Sequence, residues 1–300
     1  MATLSFPGPG SRWQPCDAAA RSVQPSLRLE GDANLGGVSP PVDYLLAMAG
    51  PSRTPRTNRH LAYLLAFVAG LLNSVGFVAV SVYTSHMTGL TASVADQLVL
   101  GDRRLVVLGV LALVSFVGGA AVCAVLFNWA RRRQLRSKFA LVLLLEAALI
   151  LAFGVLADLL RWEHRAYIFV GLLAFIMGLQ NAIITKISDA QIRTTHVTGM
   201  VTDIGIELGK LSFRSRRDGL APVVGDVAKL RMLSALVGLF FIGGVAGAAG
   251  YLWAGFTLLV LPAMALFLVS SGPLVDDVRH GRGGETVQRM ATWAARREVD

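Results

Sequence analysis

Two of the five histidines in this 300-residue chain stand in nearly the same six-residue context. Residues 84–89 read TSHMTG and residues 194–199 read TTHVTG, so each histidine follows a hydroxyl residue and precedes an apolar residue, Thr and Gly. The hydroxyls can bond a ring nitrogen, a backbone carbonyl or a ligand, and glycine permits a break in a helix. The similarity of the two segments arises either by chance or because the chain contains two copies of one unit.

Both segments come directly after an apolar run, which fits the end of one helix and the start of another. A helix N-terminus there would offer free N–H groups suited to an anion or a carboxylate. Two asparagines at matching positions in the preceding runs either clamp the broken segment of the opposite copy or bind substrate themselves. The predicted substrate-binding residues are His86, Thr88, Gly89, His196, Thr198, Gly199, Asn73 and Asn181.

Acidic residues follow only the second copy of the motif. Asp203 and Glu207 lie on an amphipathic helix together with Lys210, whereas the first copy has Ser93 and Gln97 at the corresponding positions. Two interpretations stay open, because these acids can couple ion movement in one half of the chain or can pair with Lys210 on a cytoplasmic face. We predict an ion-coupling role for both.

Glu146 is the one acid inside a predicted membrane span, where it can relay protons or lie beside a polar cavity, and it completes the predicted ion-coupling set. Two histidines with Glu146 or Asp203 could gather metal ligands, but their spacing does not demand it. A nucleophile elbow, an HExxH motif and a phosphate-binding loop are all missing from the sequence. We therefore predict no enzyme activity, no catalytic residue, no metal and no cofactor.

Composition predicts an all-α membrane protein. Hydrophobic residues make up 54% of the chain, charged residues 16%, and the mean hydropathy is +0.58. A hydrocarbon core of about 30 Å needs about 20 apolar residues in a helix. Six spans meet that length if the last run is divided near 250–255: 61–83, 105–127, 139–157, 166–185, and two within 232–275.

Basic residues cluster on one side of these spans. They precede the first span, follow the second and lie between the fourth and fifth: Arg53, Arg56, Arg59; Arg131, Arg132, Arg133, Arg136, Lys138; Lys210, Arg214, Arg216, Arg217, Lys229 and Arg231. The positive-inside rule then places both termini in the cytoplasm of a bacterial inner-membrane protein. Because these charges flank the apolar runs as topology determinants do, the net charge of +9 does not indicate a nucleic-acid partner.

The echo extends into a longer repeat. Gly70, Leu71 and Asn73 correspond to Gly178, Leu179 and Asn181 at an offset of 108, and FVGGAAVCA at 116–124 corresponds to FIGGVAGAA at 241–249 at an offset of 125. Three spans in each copy mean that the second copy enters the membrane from the opposite side. We predict two inverted three-helix repeats, 60–165 and 166–272, each with a broken or re-entrant segment after its first helix, helices 1 and 4 of the six.

The ends of the chain differ from this core. Residues 1–59 are predicted as a disordered leader, of which 1–47 are a dispensable extension if Met48 is the native start. Residues 273–300 are predicted as a cytoplasmic tail with a short amphipathic helix that touches lipid headgroups.

The motif regions resemble those of a known family. AGLLNSVGF followed by TSHMTGLT, and MGLQNAIITKIS followed by RTTHVTGMVTDIG, are similar to the YoaK family of bacterial membrane proteins, over about residues 60–270. The resemblance implies a polytopic inner-membrane protein of a domain-of-unknown-function family that is commonly assumed to transport a substrate not yet assigned.

These observations predict a small secondary transporter or permease with an unknown small-molecule or ion substrate. The alternative is a non-transporting membrane scaffold or regulatory protein, in which the repeat serves packing alone. The lipid bilayer is the predicted partner and nucleic acid is not. Self-association into a homo-oligomer stays open, as do the substrate, the coupling ion and the direction of transport.

Overall fold

The computed structural model describes residues 48–50, 54–135, 137–159, 165–187, 195–213, 223–275 and 277, and this part of the chain contains helices and no strand. Seven α-helices are followed by a 3₁₀ turn and a further helical stretch. In chain order they are α1 (Pro55–Val80), α2 (Met87–Leu100), α3 (Arg103–Arg132), α4 (Lys138–Leu159), α5 (Arg165–Ile187), α6 (Val197–Ser212), α7 (Val227–Ala254), the 3₁₀ turn Gly255–Leu259, and α8 (260–275).

Among the described residues, five stretches are long and apolar enough to cross a membrane. Four coincide with α1, α3, α4 and α5, and the fifth, Val227–Val275, contains both α7 and α8. The α-helix is interrupted between α7 and α8 at Gly255, where φ is +61°, a backbone conformation that favours glycine. Gly255 is the last residue of the segment 250–255, near which the sequence predicts that the last run divides.

The short helix α2 follows α1, and the short helix α6 follows α5. They contain 14 and 16 residues, which corresponds to about 21 and 24 Å at 1.5 Å per residue. Both lengths fall short of the roughly 30 Å hydrocarbon core of a bilayer. Neither helix can therefore cross a membrane alone.

Helices α1 and α3 begin at conventional caps. Thr54 and Thr57 form a capping box in front of α1, with Pro55 in its first turn. Asp102 accepts a 3.1 Å hydrogen bond from the backbone N–H of Leu105 at the start of α3. Side-chain caps of this kind satisfy N–H groups that would otherwise lack partners.

Helices α1 and α7 form one of the two most extensive helix contacts, and glycines allow it. A Cβ at Gly70 would overlap the backbone carbonyl of Phe240, and a Cβ at Gly243 would overlap that of Phe67. Because glycine has no Cβ, the two backbones can touch.

Helices α3 and α5 form the other extensive contact in the same manner. A Cβ at Gly178 would overlap the carbonyl of Phe116, and a Cβ at Gly119 would overlap that of Phe175. The contacts relate Gly119 to Gly243, 124 positions apart, and not to Gly244 at the predicted offset of 125. The aligned letters are therefore wrong by one residue here, because the second glycine of the pair 118–119 but the first glycine of the pair 243–244 faces the partner backbone.

Aromatic rings hold the 3₁₀ turn against the bundle. Phe256 packs edge-on against Phe153 of α4 and Phe169 of α5, each with ring centroids 5.5 Å apart. On the outer surface, large apolar side chains are uncovered, and Trp253 of α7 is 91% exposed. Such a surface suits contact with lipid.

Several predicted boundaries differ from the structure or lie beyond it. Helix α1 begins at Pro55, inside the predicted leader 1–59. Residues 1–47 lie outside the described residues, as do residues 278–300, the part of the predicted tail 273–300 that contains the predicted amphipathic helix.

Candidate functional site

A cavity of about 800 Å³ lies where the two histidine motifs meet. It is lined by residues of α1, α2, α3, α5, α6 and α7 and of the segments before α2 and α6. Phe116 of α3 and Phe240 of α7 line it, and each stands near the middle of its helix. The cavity is therefore about half-way along both long helices.

Six of the eight predicted substrate-binding residues line this cavity. They are His86, Thr88, His196, Thr198, Asn73 and Asn181. The sequence repeat thus contributes a histidine, a threonine and an asparagine from each copy.

The remaining two predicted residues, Gly89 and Gly199, do not line the cavity but lie against the rings of the two histidines. A Cβ at Gly89 would overlap the imidazole ring of His86, and a Cβ at Gly199 would overlap that of His196. Each ring folds back over the first turn of its helix, into the space that a side chain would fill. Glycine three positions after the histidine is therefore a steric requirement of the motif.

The two histidines are the N-cap residues of α2 and α6. Neither side chain forms a capping hydrogen bond to the first turn, in contrast to the Thr and Asp caps of the long helices. The first-turn residues Met87 and Val197 line the cavity. Both short helices therefore direct uncapped N-termini toward the same space.

Asn73 of α1 holds the segment that precedes α2. Its Oδ1 accepts hydrogen bonds from the backbone N–H of Ser85 at 3.3 Å and from the Ser85 hydroxyl at 2.9 Å. The side chain is 7% exposed. Since a backbone N–H can only donate, this contact also fixes the orientation of the Asn73 amide.

Asn181 of α5 holds the segment that precedes α6 in a similar way. Its Oδ1 accepts a 2.6 Å hydrogen bond from the hydroxyl of Thr195, while its Nδ2 donates to the carbonyl of Met177 at 2.9 Å. The prediction that these asparagines clamp the opposite copy is wrong. Asn73 binds Ser85 and Asn181 binds Thr195, so each asparagine contacts the residue that directly precedes the histidine of its own copy.

Lys186 also lines the cavity, and the sequence reasoning missed it. It lies one residue beyond the predicted span 166–185, where a lysine is usually a flanking charge at the membrane surface. Its Nζ lies 4.9 Å from the centroid of the Phe127 ring, a cation–π contact. Tyr83, Ser85 and Thr195 are further lining residues that only their neighbourhood to the motifs could have indicated.

Glu146 of α4 is completely buried and does not line the cavity. Neither carboxyl oxygen forms a hydrogen bond with the described residues, although Gln180 lies beside it. Gln180 itself donates to the backbone carbonyl of Leu65 at 3.3 Å and so links α5 to α1. A carboxyl group without hydrogen-bond partners in an apolar interior is costly to ionise.

The acids of α6 lie outside the cavity and join α6 to α7. Glu207 accepts hydrogen bonds from the backbone N–H of Asp226 at 2.9 Å and from Lys210 at 3.0 Å. The Asp226 N–H, followed by Lys210, holds the pKa of Glu207 below its usual value. Asp203 pairs with Lys229 at 3.4 Å. These contacts account for both acids structurally, and their role in ion coupling stays a prediction.

Among the described residues, no group of three or more His, Cys, Asp or Glu side chains could hold a metal ion. The cavity instead combines hydroxyl, amide and imidazole groups with aromatic and small apolar side chains. Such a lining suits a solute with a polar end and an apolar body.

Long apolar helices around a polar cavity define an integral membrane protein, and its family follows from comparison with known proteins. The chain belongs to the family described as "Protein of unknown function (DUF1275)", which matches residues 61–271 and confirms the predicted resemblance. It is also similar to the "UPF0700 transmembrane protein YoaK" of Bacillus subtilis (strain 168), with 24% identity over 159 residues, 52% of this chain and 70% of that protein. No solved structure matches.

Proposed function

We propose that the protein is a small secondary transporter or permease of the bacterial inner membrane and that the cavity is its substrate site. The observation that carries the proposal is the convergence of both histidine motifs on one space of about 800 Å³. In a scaffold, the motifs would be expected to end in sealed helix contacts. An open space whose lining includes hydroxyl, amide and imidazole groups has no use in packing and favours transport.

The proposed arrangement has six membrane-crossing helices, α1, α3, α4, α5, α7 and α8, in two inverted repeats with both termini in the cytoplasm. The correspondence of contacts supports it, since α1 packs on α7 as α5 packs on α3. With this topology α2 and α6 would enter from opposite sides. Their N-termini would meet near the bilayer midplane, where inverted-repeat transporters bind substrate between interrupted helices.

Glu146 is the proposed coupling group. It is buried without hydrogen-bond partners among the described residues, which favours a neutral, protonated carboxyl. Gain and loss of a proton at this group would change the packing of α4 against α5. We propose no enzymatic activity.

The experiment is a flux screen in proteoliposomes with the purified full chain. Organic acids, amino acids, amines, sugars and inorganic ions are offered with and without a pH gradient. We expect at least one class to move faster than in empty liposomes. A broad panel with neither flux nor ligand-dependent stabilisation would contradict the proposal.

Matched threonine variants connect flux to the cavity. Thr88→Val and Thr198→Val remove hydroxyls from cavity-lining residues without changing side-chain size much. Thr91→Val and Thr202→Val are the controls, because these exposed hydroxyls bond only the carbonyl four residues earlier in their own helices. The first pair should lower flux about fivefold, as expected for one hydrogen bond of about 1 kcal/mol, and the second pair should not.

A further inference from the structure

We infer that the cavity selects organic anions, with the anionic head group bound between the N-termini of α2 and α6. The inference rests on the proposed function, in that it assigns a substrate class to the same site. Four features of the lining carry it: the helix ends, two donor side chains, the distribution of acids, and the apolar walls.

The helix ends supply positive potential from two directions. The first-turn residues Met87 and Thr88 of α2, and Val197 and Thr198 of α6, all line the cavity. The capping histidines leave the N–H groups of these turns without side-chain acceptors. Unpaired N–H groups and the helix dipole both favour an anion at such a position.

Side chains supply an independent indication. Lys186 is a cation in the lining, and it forms no ion pair with a described residue. Asn73 is more than nine-tenths buried and lines the cavity. Its Oδ1 is occupied by Ser85, and its Nδ2 forms no hydrogen bond with the described residues. The Nδ2 is therefore a donor without an acceptor among the described residues, in a side chain that lines the cavity, and an anionic oxygen would satisfy it.

Acidic residues are absent from the described part of the lining. Asp203 and Glu207 pair with lysines at the junction of α6 and α7, and Glu146 lies buried outside the cavity. The charge of the described lining is therefore positive, which favours an anion and opposes a cation.

The remaining walls indicate that the anion carries an apolar body. Phe116, Phe240, Tyr83 and Met87 face the same space as the polar groups. A volume of about 800 Å³ exceeds what an inorganic anion would fill. An organic acid with one head group and an aromatic or aliphatic body matches both parts of the lining.

Three probes of nearly equal size test the head group directly. Benzenesulfonate, benzenesulfonamide and benzylammonium share a phenyl ring and carry a negative, neutral or positive group. Their binding to the purified full chain is measured by isothermal titration calorimetry in detergent at pH 7.5. We expect benzenesulfonate to bind about tenfold or more tightly than either analogue, and Lys186→Gln to lose about tenfold while Lys186→Arg retains binding.

The outcomes separate this inference from the proposed function. Equal or tighter binding of benzylammonium or benzenesulfonamide, or no binding of benzenesulfonate by the wild-type chain, would overturn the anion assignment. Since the comparison of head groups uses the wild-type chain, it stands even if Lys186→Gln fails to fold. Flux of amines or sugars without anion binding would leave transport standing and remove this inference. Anion binding without flux of any anion would leave the anion assignment standing and remove transport.

Discussion

The side-chain oxygen of Asn181 accepts a 2.6 Å hydrogen bond from the hydroxyl of Thr195, and Asn73 stands in the same relation to Ser85 at 2.9 Å. Each asparagine lies in a long helix, and each hydroxyl residue directly precedes a capping histidine. The position of each histidine motif is therefore fixed by one polar contact to the preceding helix.

A double-mutant cycle measures this contact. Asn181→Ala and Thr195→Ala are introduced singly and together, and the thermal stability of each detergent-solubilised variant is determined. We expect a coupling free energy of about 1 kcal/mol, since each single change leaves a partly buried polar group unpaired. Additive effects of the two changes would show that the contact does not hold the segment.

The space beside His196 gives a second prediction. Gly199→Ala places a methyl group where the imidazole ring lies, so the ring must rotate away. We expect substrate affinity to fall while stability changes little, because the displaced group is a movable side chain. Gly205→Ala on the same helix is the control, as nothing lies within 4 Å of its Cβ position. Equal affinities for the two variants would contradict the steric role of Gly199.

The contact between α1 and α7 gives a third prediction. Gly243→Ala forces a methyl group against the backbone carbonyl of Phe67, which cannot move independently of α1. We expect destabilisation of about 1–3 kcal/mol, the usual cost of overpacking.

Gly238→Ala on the same helix meets no atom within 4 Å and should be neutral or stabilising by up to about 1 kcal/mol. Unfolding in a denaturing detergent compares the two variants. Similar stability of Gly243→Ala and Gly238→Ala would show that the backbones do not meet as described.

The pH dependence of the junction between α6 and α7 follows from Glu207. Its pKa is lowered by the N–H of Asp226 and by Lys210, so the stabilisation is complete above the ordinary glutamate pKa of about 4.3. It is lost as the pH falls through the lowered pKa of the folded state. Glu207→Gln should reduce stability at pH 7 and weaken its dependence on pH in the acid range.

Asp203→Asn is the matched control for Glu207→Gln. The side chain of Asp203 is 45% exposed and its partner Lys229 is 3.4 Å away, so its ion pair should contribute little. Thermal denaturation between pH 3 and pH 7 compares both variants with the wild type. If Glu207→Gln lost stability at acid pH in the same way as the wild type, Glu207 would be excluded as the source of that loss.

Much of the fold was accessible from the sequence because the signals are local. Apolar runs of about 20 residues marked α1, α3, α4 and α5, and the segment 250–255 marked the break in the last run. The motif pair marked the starts of α2 and α6. These features depend on length, polarity and glycine placement within one segment, all of which can be counted along the chain.

Relations between segments were harder to predict. Identical letters aligned Phe116 with Phe241, whereas the helix contacts relate it to Phe240. A periodic apolar run does not state which of two adjacent glycines faces a neighbour. Nor does the sequence show that Asn181 contacts Thr195 of its own copy and not a segment of the opposite copy.

Lys186 illustrates the remaining gap at the site. One residue beyond the predicted end of a span, a lysine is usually a flanking charge at the membrane surface. Only the packing of α5 against α3 shows that it lines the cavity and lies over Phe127. Its role depends on a distance across helices, which no pattern in the sequence records.

The central claim is that solute passes through the cavity between the two histidine motifs, and a pair of alanine variants on α3 tests it most directly. Ala124 lines the cavity, whereas Ala121, three residues earlier, is exposed on the outer surface of the bundle. The measurement is the initial flux of the best solute into proteoliposomes containing equal amounts of each folded variant. The account predicts that Ala124→Phe abolishes flux while Ala121→Phe retains it. Equal flux through both variants would contradict it.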